Sequence, residues 1–211
     1  MARKTLPPRY LALDDSRLSG YNAAMKRRRL LTYLLLIICL GTIGGWRYYR
    51  WRDHRFDAVI VGAAQRYGVE PALVKAVVWR ESWFNPSVRG RKNEIGLMQV
   101  REEAAGEWAR AEKLTRFAPE QLFDPATNTL AGTWYLGKLL KRYQQTDNPL
   151  PYALADYNAG RGNVLKWISG AAATNSSAFL NQIGFPGTKE YVTSVMERYA
   201  RYGRTWTTNW K

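Results

Sequence analysis

The chain has 211 residues, with 32 Lys and Arg against 17 Asp and Glu, and a formal net charge of +15. A hydrophobic fraction of 46% and an aromatic fraction of 13% exclude a disordered chain, and the length suits one domain with a short appendage. With one cysteine, Cys39, and one histidine, His54, neither a disulfide framework nor a Cys/His zinc site can form, so we expect no metal and no other cofactor.

The positive charge is concentrated at the start of the chain. Residues 1–55 hold 12 basic and 3 acidic side chains, a net +9, whereas residues 56–211 carry a net +6. A block of four basic residues at 26–29 is followed by an uncharged run, residues 30–46. Such a helix is about 25 Å long, at the lower limit for crossing a bilayer, and the Trp, Tyr and Arg residues at 46–52 would anchor its far end. We therefore predict a transmembrane anchor at 30–46.

The charge on the two flanks predicts the orientation of this anchor. Residues 1–29 carry eight basic side chains against four in residues 47–55, which favours a cytoplasmic N-terminus. A cleaved signal peptide and a buried helix of a soluble domain are the alternatives, although the polar lead is long and no A-x-A cleavage site follows. The predicted order is a basic tail at 1–29, the anchor at 30–46 and a juxtamembrane linker at 47–57. Since topology explains the basic block, we expect no nucleic-acid partner.

The rest of the chain has helical periodicity and no convincing strand pattern. Apolar residues at three- and four-residue spacing predict helices at 56–67, at 71–84, from 124 to about 143, from 151 to about 160 and at 188–202. Segments 85–97, 160–163 and 170–187 are rich in turn-forming residues and are predicted to be loops. An all-α fold is the expectation.

Glu81 lies near the end of the second predicted helix, directly after the apolar Val77, Val78 and Trp79. A carboxylate there faces the unfavourable end of the helix dipole and, if it turns inward, an apolar wall, and both effects raise its pKa. A glutamic acid with a raised pKa can donate a proton to a glycosidic oxygen. From helix position alone, a solvated side chain paired with Arg80 or Lys75 is the alternative.

Five short segments occur in an order that is diagnostic when taken together. They are ESWFNP at 81–86, GLMQV at 96–100, DPATN at 124–128, ALADYNAG at 153–160 and KEYV at 189–192. This series resembles the SLT-type lytic transglycosylases, which are similar to goose-type lysozyme, over residues 58–202. The resemblance implies an all-α, lysozyme-like catalytic domain at 58–202, followed by a C-terminal tail at 203–211.

The resemblance also implies a reaction and a set of site residues. The reaction is cleavage of the β-1,4 bond between N-acetylmuramic acid and N-acetylglucosamine in peptidoglycan, with 1,6-anhydro ends formed by attack of the C6 hydroxyl. Glu81 is similar to the single catalytic acid/base, and the tyrosine of the fourth segment is expected to place its hydroxyl near this acid. The residues implied in substrate binding are Ser82, Met98, Gln99, Tyr157, Asn158 and Tyr191.

The sequence departs from the family pattern at positions that concern the substrate groove more than the chemistry. Asp156 stands where the family usually has alanine, and Gly187, Thr188 and Lys189 replace Glu-Thr-Arg. A muramidase that hydrolyses the same bond, with Glu94 or Asp156 activating water, is one alternative. A membrane-tethered peptidoglycan-binding module without activity is another. On either enzymatic hypothesis the expected location is the bacterial inner membrane with a periplasmic catalytic domain, and a cell-envelope assembly is a possible partner.

Overall fold

The computed structural model describes residues 15–206, and the side chains from residue 25 onward. The parts of the predicted tails at 1–14 and 207–211 lie outside the described residues. The chain divides into two compact units, Met1–Trp51 and Arg52–Lys211.

The first unit consists of most of helix α1, Asp15–His54. The large apolar side chains between Leu30 and Trp46 are 50 to 69% exposed. One helical segment of the described chain, which begins at Met25, is long and apolar enough to cross a membrane by length and composition. Because these large apolar side chains are at least half exposed, the helix has the surface expected of a segment that lipid covers, in line with the predicted anchor at 30–46.

The second unit is built from helices. Their bounds are α2 Asp57–Tyr67, α3 Pro71–Ser82, α4 Glu102–Ala111, α5 Pro125–Arg142, α6 Pro149–Ala159, α7 Arg161–Trp167, α8 Ser176–Gln182 and α9 Pro186–Thr205, with short 3₁₀ helices at Pro119–Phe123 and Gly170–Ala173. Pairing of extended backbone in the described residues is limited to two isolated bridges, Arg89 with Ile95 and Ile95 with Val100.

Helix α3 lies at the centre of the unit, because most of its residues from Ala72 to Val78 are fully buried. It packs against α2 and α9, while α5 packs against α2, α4 and α6. Proline at the first turn starts α3, α5, α6 and α9, where the missing N–H costs no hydrogen bond. Packing against α2 and α9 therefore holds the helix that carries Glu81 in place.

A buried charged cluster joins the two ends of the described second unit. Lys75 of α3 is fully buried, and its Nζ lies 2.7 Å from Asp57 Oδ1 and 3.4 Å from Asp53 Oδ2. Tyr202 donates to Asp53 Oδ1 at 2.5 Å, and Trp206 Nε1 donates to Asp57 Oδ2 at 2.9 Å. The Lys75 ammonium also lies 4.5 Å from the centre of the Trp206 ring. We call these five residues the Lys75 cluster.

Candidate active site

Glu81 occupies the last turn of α3, where the helix ends in strained backbone. Trp83 and Phe84 follow it with φ of 52° and 60°, in the left-handed region that non-glycine residues rarely adopt. Each such residue costs about 1 kcal/mol or more, so the surrounding structure must hold them in place. Ser82 contributes by donating from its Oγ to the carbonyl oxygen of Leu97 at 2.8 Å.

Burial raises the pKa of the Glu81 carboxyl group. Removal from water raises its pKa to about 7, an effect that outweighs the hydrogen bond from Tyr191 and the charge of Arg80, which both favour the carboxylate. The Tyr191 hydroxyl donates to Glu81 Oε1 at 2.6 Å. Burial also raises the pKa of Tyr191 well above its usual value, so this hydroxyl remains a donor. A carboxyl group with these properties can both give and accept a proton near neutral pH.

A buried asparagine supports the loop that faces Glu81. Asn128 of α5 is fully buried, accepts from the backbone N–H of Met98 at 2.8 Å and donates to the carbonyl oxygens of Ile95 and Leu122. Gly96 has a φ of 77°, and a Cβ there would lie 2.4 Å from the Asn128 amide. The glycine of the second sequence segment and the asparagine of the third therefore form one structural element.

Gln99, Tyr157 and Asn158 line a cavity of about 470 Å³ together with Glu81. The remaining lining residues are Glu94, Val100, Arg101, Glu103, Ala104, Glu107, Tyr135, Asp156 and Gly160. The predicted acid and three of the predicted substrate-binding residues thus share one cavity that is large enough for a sugar ligand.

Ser82, Met98 and Tyr191 are buried and do not line this cavity. The Met98 side chain packs where Gly132 leaves room, since a Cβ on that glycine would lie 2.6 Å from the Met98 sulfur. Its carbonyl oxygen accepts from the Tyr157 hydroxyl at 2.8 Å. Tyr191 is thus the tyrosine whose hydroxyl donates to the acid. The Tyr157 hydroxyl ties α6 to the loop, and burial together with the nearby charge of Glu81 raises its pKa well above the usual value.

The two polar amides of the cavity are held in complementary orientations. Gln99 donates from Nε2 to the carbonyl oxygens of Val88 and Gly96, at 3.1 and 2.9 Å. Asn158 accepts at Oδ1 from the Thr188 hydroxyl at 2.8 Å. The Gln99 Oε1 acceptor and the Asn158 Nδ2 donor make no hydrogen bond with the described residues and are left for a ligand.

Both carboxylates that were considered as activators of water are engaged with other groups. Glu94 accepts from the backbone N–H of Lys92 at 2.9 Å and from Arg101 at 3.3 Å, and these contacts lower its pKa despite partial burial. Asp156 is 1% exposed and accepts at Oδ2 from Arg142 at 2.6 Å and from the Tyr143 hydroxyl at 2.7 Å. Glu94 is close enough for its charge to raise the pKa of Glu81.

Sequence reasoning missed the cavity wall formed by α4 and by Tyr135 of α5. Helix α4 was not predicted, although Glu102 and Glu103 in its first turn and the buried Ala104, Ala105 and Trp108 give a usable helical signal. Thr188 was noted only as part of a motif, and its contact with Asn158 depends on packing between α6 and α9.

A helical domain whose central helix ends in a half-buried glutamic acid beside a sugar-sized cavity is typical of the lysozyme-like class of protein. The Transglycosylase SLT domain family matches residues 58–180, and the chain belongs to this family.

Curated relatives with membrane-bound names are among the similar sequences. The chain is 37% identical over 124 residues to membrane-bound lytic murein transglycosylase C of Shigella sonnei, covering 56% of this chain and 34% of that protein. The corresponding protein of Pectobacterium atrosepticum is also 37% identical over 124 residues, which cover 56% of this chain and 35% of that protein. The chain thus spans about a third of the length of these relatives.

Solved structures confirm the fold class. An inactive Glu-to-Gln variant of lytic transglycosylase Slt from Pseudomonas aeruginosa is similar with a TM-score of 0.65 and 26% identity, covering 71% of this chain and 24% of that one. The 70-kDa soluble lytic transglycosylase of Escherichia coli has a TM-score of 0.62 and 28% identity, over 70% of this chain and 24% of its own. The same type of enzyme has also been solved in complex with bulgecin A, with a TM-score of 0.63. The expected all-α, lysozyme-like domain is therefore confirmed.

Proposed function

We propose that this protein is a membrane-anchored lytic transglycosylase. It cleaves the β-1,4 bond between N-acetylmuramic acid and N-acetylglucosamine without water and leaves 1,6-anhydro ends. The observation that carries the proposal is Glu81, whose pKa of about 7 and position at the cavity suit a group that first donates and then accepts a proton. Membership of the family and the inactivity of a Glu-to-Gln relative support it.

The reaction requires one carboxyl group. Protonated Glu81 gives its proton to the glycosidic oxygen while the bond from this oxygen to C1 of the muramic acid breaks. The resulting carboxylate then takes the proton of the C6 hydroxyl, whose oxygen attacks C1 and closes the anhydro ring. Tyr191 stabilises the carboxylate between the two steps through its hydrogen bond to Oε1. Glu81 thus returns to its starting protonation state.

The cavity residues bind the sugar through its acetamido groups. An acetamido group offers one N–H donor and one carbonyl acceptor, which match the available Gln99 Oε1 and Asn158 Nδ2. Ser82 and Met98, which are buried, hold the ends of α3 and of the facing loop in position instead of contacting sugar. Substrate specificity therefore depends on Gln99 and Asn158, whose orientations are fixed because the protein already binds Gln99 Nε2 and Asn158 Oδ1.

The state of Glu94 and Asp156 favours the anhydro product over hydrolysis. A muramidase needs a second carboxylate to activate water, and Glu94 and Asp156 are both held by arginines. We propose that the anchor at 30–46 lies in the bacterial inner membrane and that the domain at 58–202 is on the periplasmic side, where peptidoglycan lies. In this location, the protein could act together with a cell-envelope assembly.

Digestion of purified sacculi tests the reaction. The full-length protein in detergent should release muropeptides with anhydro ends, identified by mass spectrometry from the loss of one water relative to reducing ends. Glu81→Gln should lower the rate by about a thousandfold, since it removes the proton donor and acceptor but keeps the shape of the side chain.

Glu120→Gln is the matched control, because Glu120 lies in the 3₁₀ helix Pro119–Phe123 and does not line the cavity. Reducing ends from the wild-type protein would establish the muramidase instead. Retention of sacculus binding by wild-type protein that releases no product would establish the binding module.

A further inference from the structure

Arg80 directly precedes Glu81, and its side chain contacts α9. Its Nη2 lies 3.6 Å from Glu190 Oε1, and its Nε donates to the Ser194 hydroxyl at 3.1 Å. The guanidinium carbon lies 5.5 Å from the centre of the Tyr191 ring. One side chain at the end of α3 therefore contacts Tyr191, the hydrogen-bond partner of Glu81, together with residues on both sides of it in the sequence.

The contact with Ser194 continues to the backbone of Tyr191. The Ser194 hydroxyl accepts from Arg80 and donates to the carbonyl oxygen of Tyr191 at 2.9 Å. The guanidinium group thus lies over the Tyr191 ring and is connected, through one hydroxyl, to the backbone of the same residue. The ion pair with Glu190 adds little, because the Glu190 side chain is 77% exposed. Ring and backbone of Tyr191 are therefore both restrained from Arg80.

The bond between Tyr191 and Glu81 requires such a restraint because it is short. Tyr191 is 2% exposed, and its hydroxyl donates to Glu81 Oε1 at 2.6 Å. A tyrosine ring that shifts or rotates loses the distance and the alignment on which the strength of this bond depends. Contacts that fix Tyr191 therefore also fix the state of the acid.

We propose that Arg80 is a positioning residue that holds the Tyr191 hydroxyl in its bond to Glu81. This inference deepens the proposed function and rests on it, because it assumes that Glu81 is the proton donor. Arg80 does not line the cavity, so it acts through other groups and not on the substrate. Lysine cannot replace it, because an ammonium group has neither the planar surface for the ring nor an Nε–H for Ser194.

The titratable and charged groups that face Glu81 come from four parts of the domain. Arg80 is on the same helix, Tyr191 comes from α9, Tyr157 from α6 and Glu94 from the loop after α3. Burial raises the pKa of Glu81 most strongly, Tyr191 and Arg80 lower it, and Glu94 raises it. Arg80 can therefore act directly, by its charge, or indirectly, by holding Tyr191. Arg80→Lys separates these two effects because it keeps the charge.

The pH profile of the reaction tests the positioning role. The rate of release of soluble fragments from sacculi is measured with full-length protein in detergent, whatever ends the fragments carry. Loss of the bond from Tyr191 raises the pKa of Glu81, and the reaction needs the protonated acid, so the falling limb moves to higher pH. Arg80→Lys should move this limb up by about half a pH unit or more.

A double-mutant cycle shows whether Arg80 acts through the Tyr191 hydroxyl. In the Tyr191→Phe background no hydroxyl is left to hold, so Arg80→Lys should leave the limb where Tyr191→Phe alone has placed it. Ser194→Ala removes the acceptor of Arg80 Nε and should move the limb in the same direction as Arg80→Lys.

Two matched controls are available. Arg66 pairs with Glu112 and lies 5.8 Å from the centre of the Tyr67 ring, a similar arrangement away from the cavity, so Arg66→Lys should not move the limb. Thr193 donates to a carbonyl oxygen of the preceding turn of α9, as Ser194 does, and makes no other hydrogen bond with the described residues. Thr193→Ala should therefore also keep the wild-type limb.

An Arg80→Lys limb at the wild-type pH would overturn the positioning role, as would equal shifts in the two backgrounds. The pKa of Glu81 is also followed without turnover, by NMR of full-length protein labelled with ¹³C in its glutamate side chains, with Glu81→Gln identifying the signal. The same shifts are expected there, and their absence would overturn the inference even if anhydro ends form. If the protein releases reducing ends or no product, the proposed function fails while this titration still tests Arg80.

Discussion

Glu81 and Tyr191 lie far apart in the sequence but act together in the candidate active site. They are separated by 110 positions, and the hydrogen bond between them is 2.6 Å long. The bond lowers the pKa of Glu81 against the larger effect of burial, which raises it. The acid is therefore held at a pKa close to neutral by two opposing contributions.

This balance predicts the pH dependence of the reaction. The first step needs protonated Glu81, so kcat/KM should fall as the pH rises through about 7. Tyr191→Phe removes a contact that stabilises the carboxylate, which raises the pKa of Glu81 further. The falling limb of the profile should therefore move to higher pH, as measured from the rate of anhydro-product release.

Tyr202→Phe is the control for this profile, because Tyr202 lies on the same helix and its hydroxyl donates to Asp53. The falling limb of the Tyr202→Phe pH profile should lie at the same pH as that of the wild type. A Tyr191→Phe limb that stays in place or moves to lower pH would show that the hydrogen bond does not govern the acid.

At the scale of elements, the Lys75 cluster extends the folded unit beyond the boundaries predicted from sequence. Asp53 and Asp57 are buried partners of Lys75, although both fall in the segment 47–57 that was predicted to be a linker. Trp206 is also buried, within the segment predicted to be a tail. We infer that the catalytic domain requires residues 53–57 and 202–206 as structural parts.

Truncation tests this requirement. A fragment of residues 58–211 keeps Lys75 but loses both carboxylates, and breaking a buried ion pair in this way costs about 3 to 5 kcal/mol. In urea denaturation, the fragment 58–211 should unfold at a clearly lower midpoint than the fragment 52–211. Lys75→Met should recover part of the loss in the shorter fragment and destabilise the longer one. Equal midpoints for the two fragments would rule out a structural role for the segment.

The helices that sequence patterns predicted correctly are those with long apolar faces. Helices α2, α3, α5, α6 and α9 agree with the predicted segments to within a few residues at most ends. Helices α7 and α8 have seven residues each and fall in or beside segments predicted as loops. Short helices depend on tertiary packing, here around the buried Trp167 and Phe179, and leave little periodicity in the sequence.

The site was predictable where it rests on ordered motifs and unpredictable where it rests on long-range contacts. The motif order indicated Glu81, Gln99, Tyr157 and Asn158, which share the cavity. No local pattern indicates that Tyr202 contacts Asp53, 149 positions away. The contact between Tyr191 and Glu81 likewise depends on how α9 packs against α3, which the motifs do not encode.

At the scale of the whole molecule, the positive charge is distributed unevenly between the N-terminal region and the domain that carries the candidate site. The net +9 of residues 1–55 surrounds the apolar run at 30–46, and the domain that follows carries a net +6. The exposed apolar side chains of α1 and the membrane-bound names of the relatives fit an anchor.

A charge in the middle of the anchor should release the protein from membranes. Leu36→Arg places a charge near the centre of the run, at a cost of about 3 kcal/mol for insertion, whereas Leu36→Ala keeps the run uncharged. After alkaline extraction, we expect wild type and Leu36→Ala in the membrane pellet and a large part of Leu36→Arg in the supernatant. Recovery of a wild-type protein that lacks its N-terminal residues would support a cleaved signal peptide instead.

The Lys75 cluster also has a consequence for the order in which the protein acquires its activity. Its bonds from Tyr202 to Asp53 and from Trp206 to Asp57 each span 149 positions and join the first and last described helical turns of the second unit. On the proposed orientation, a chain that is made and exported from its N-terminus cannot form these bonds, or the contact between Tyr191 and Glu81, until α9 has crossed the membrane. If the protein cuts the wall as proposed, cutting should begin only after the whole domain has been translocated, and an incompletely exported molecule should do no damage.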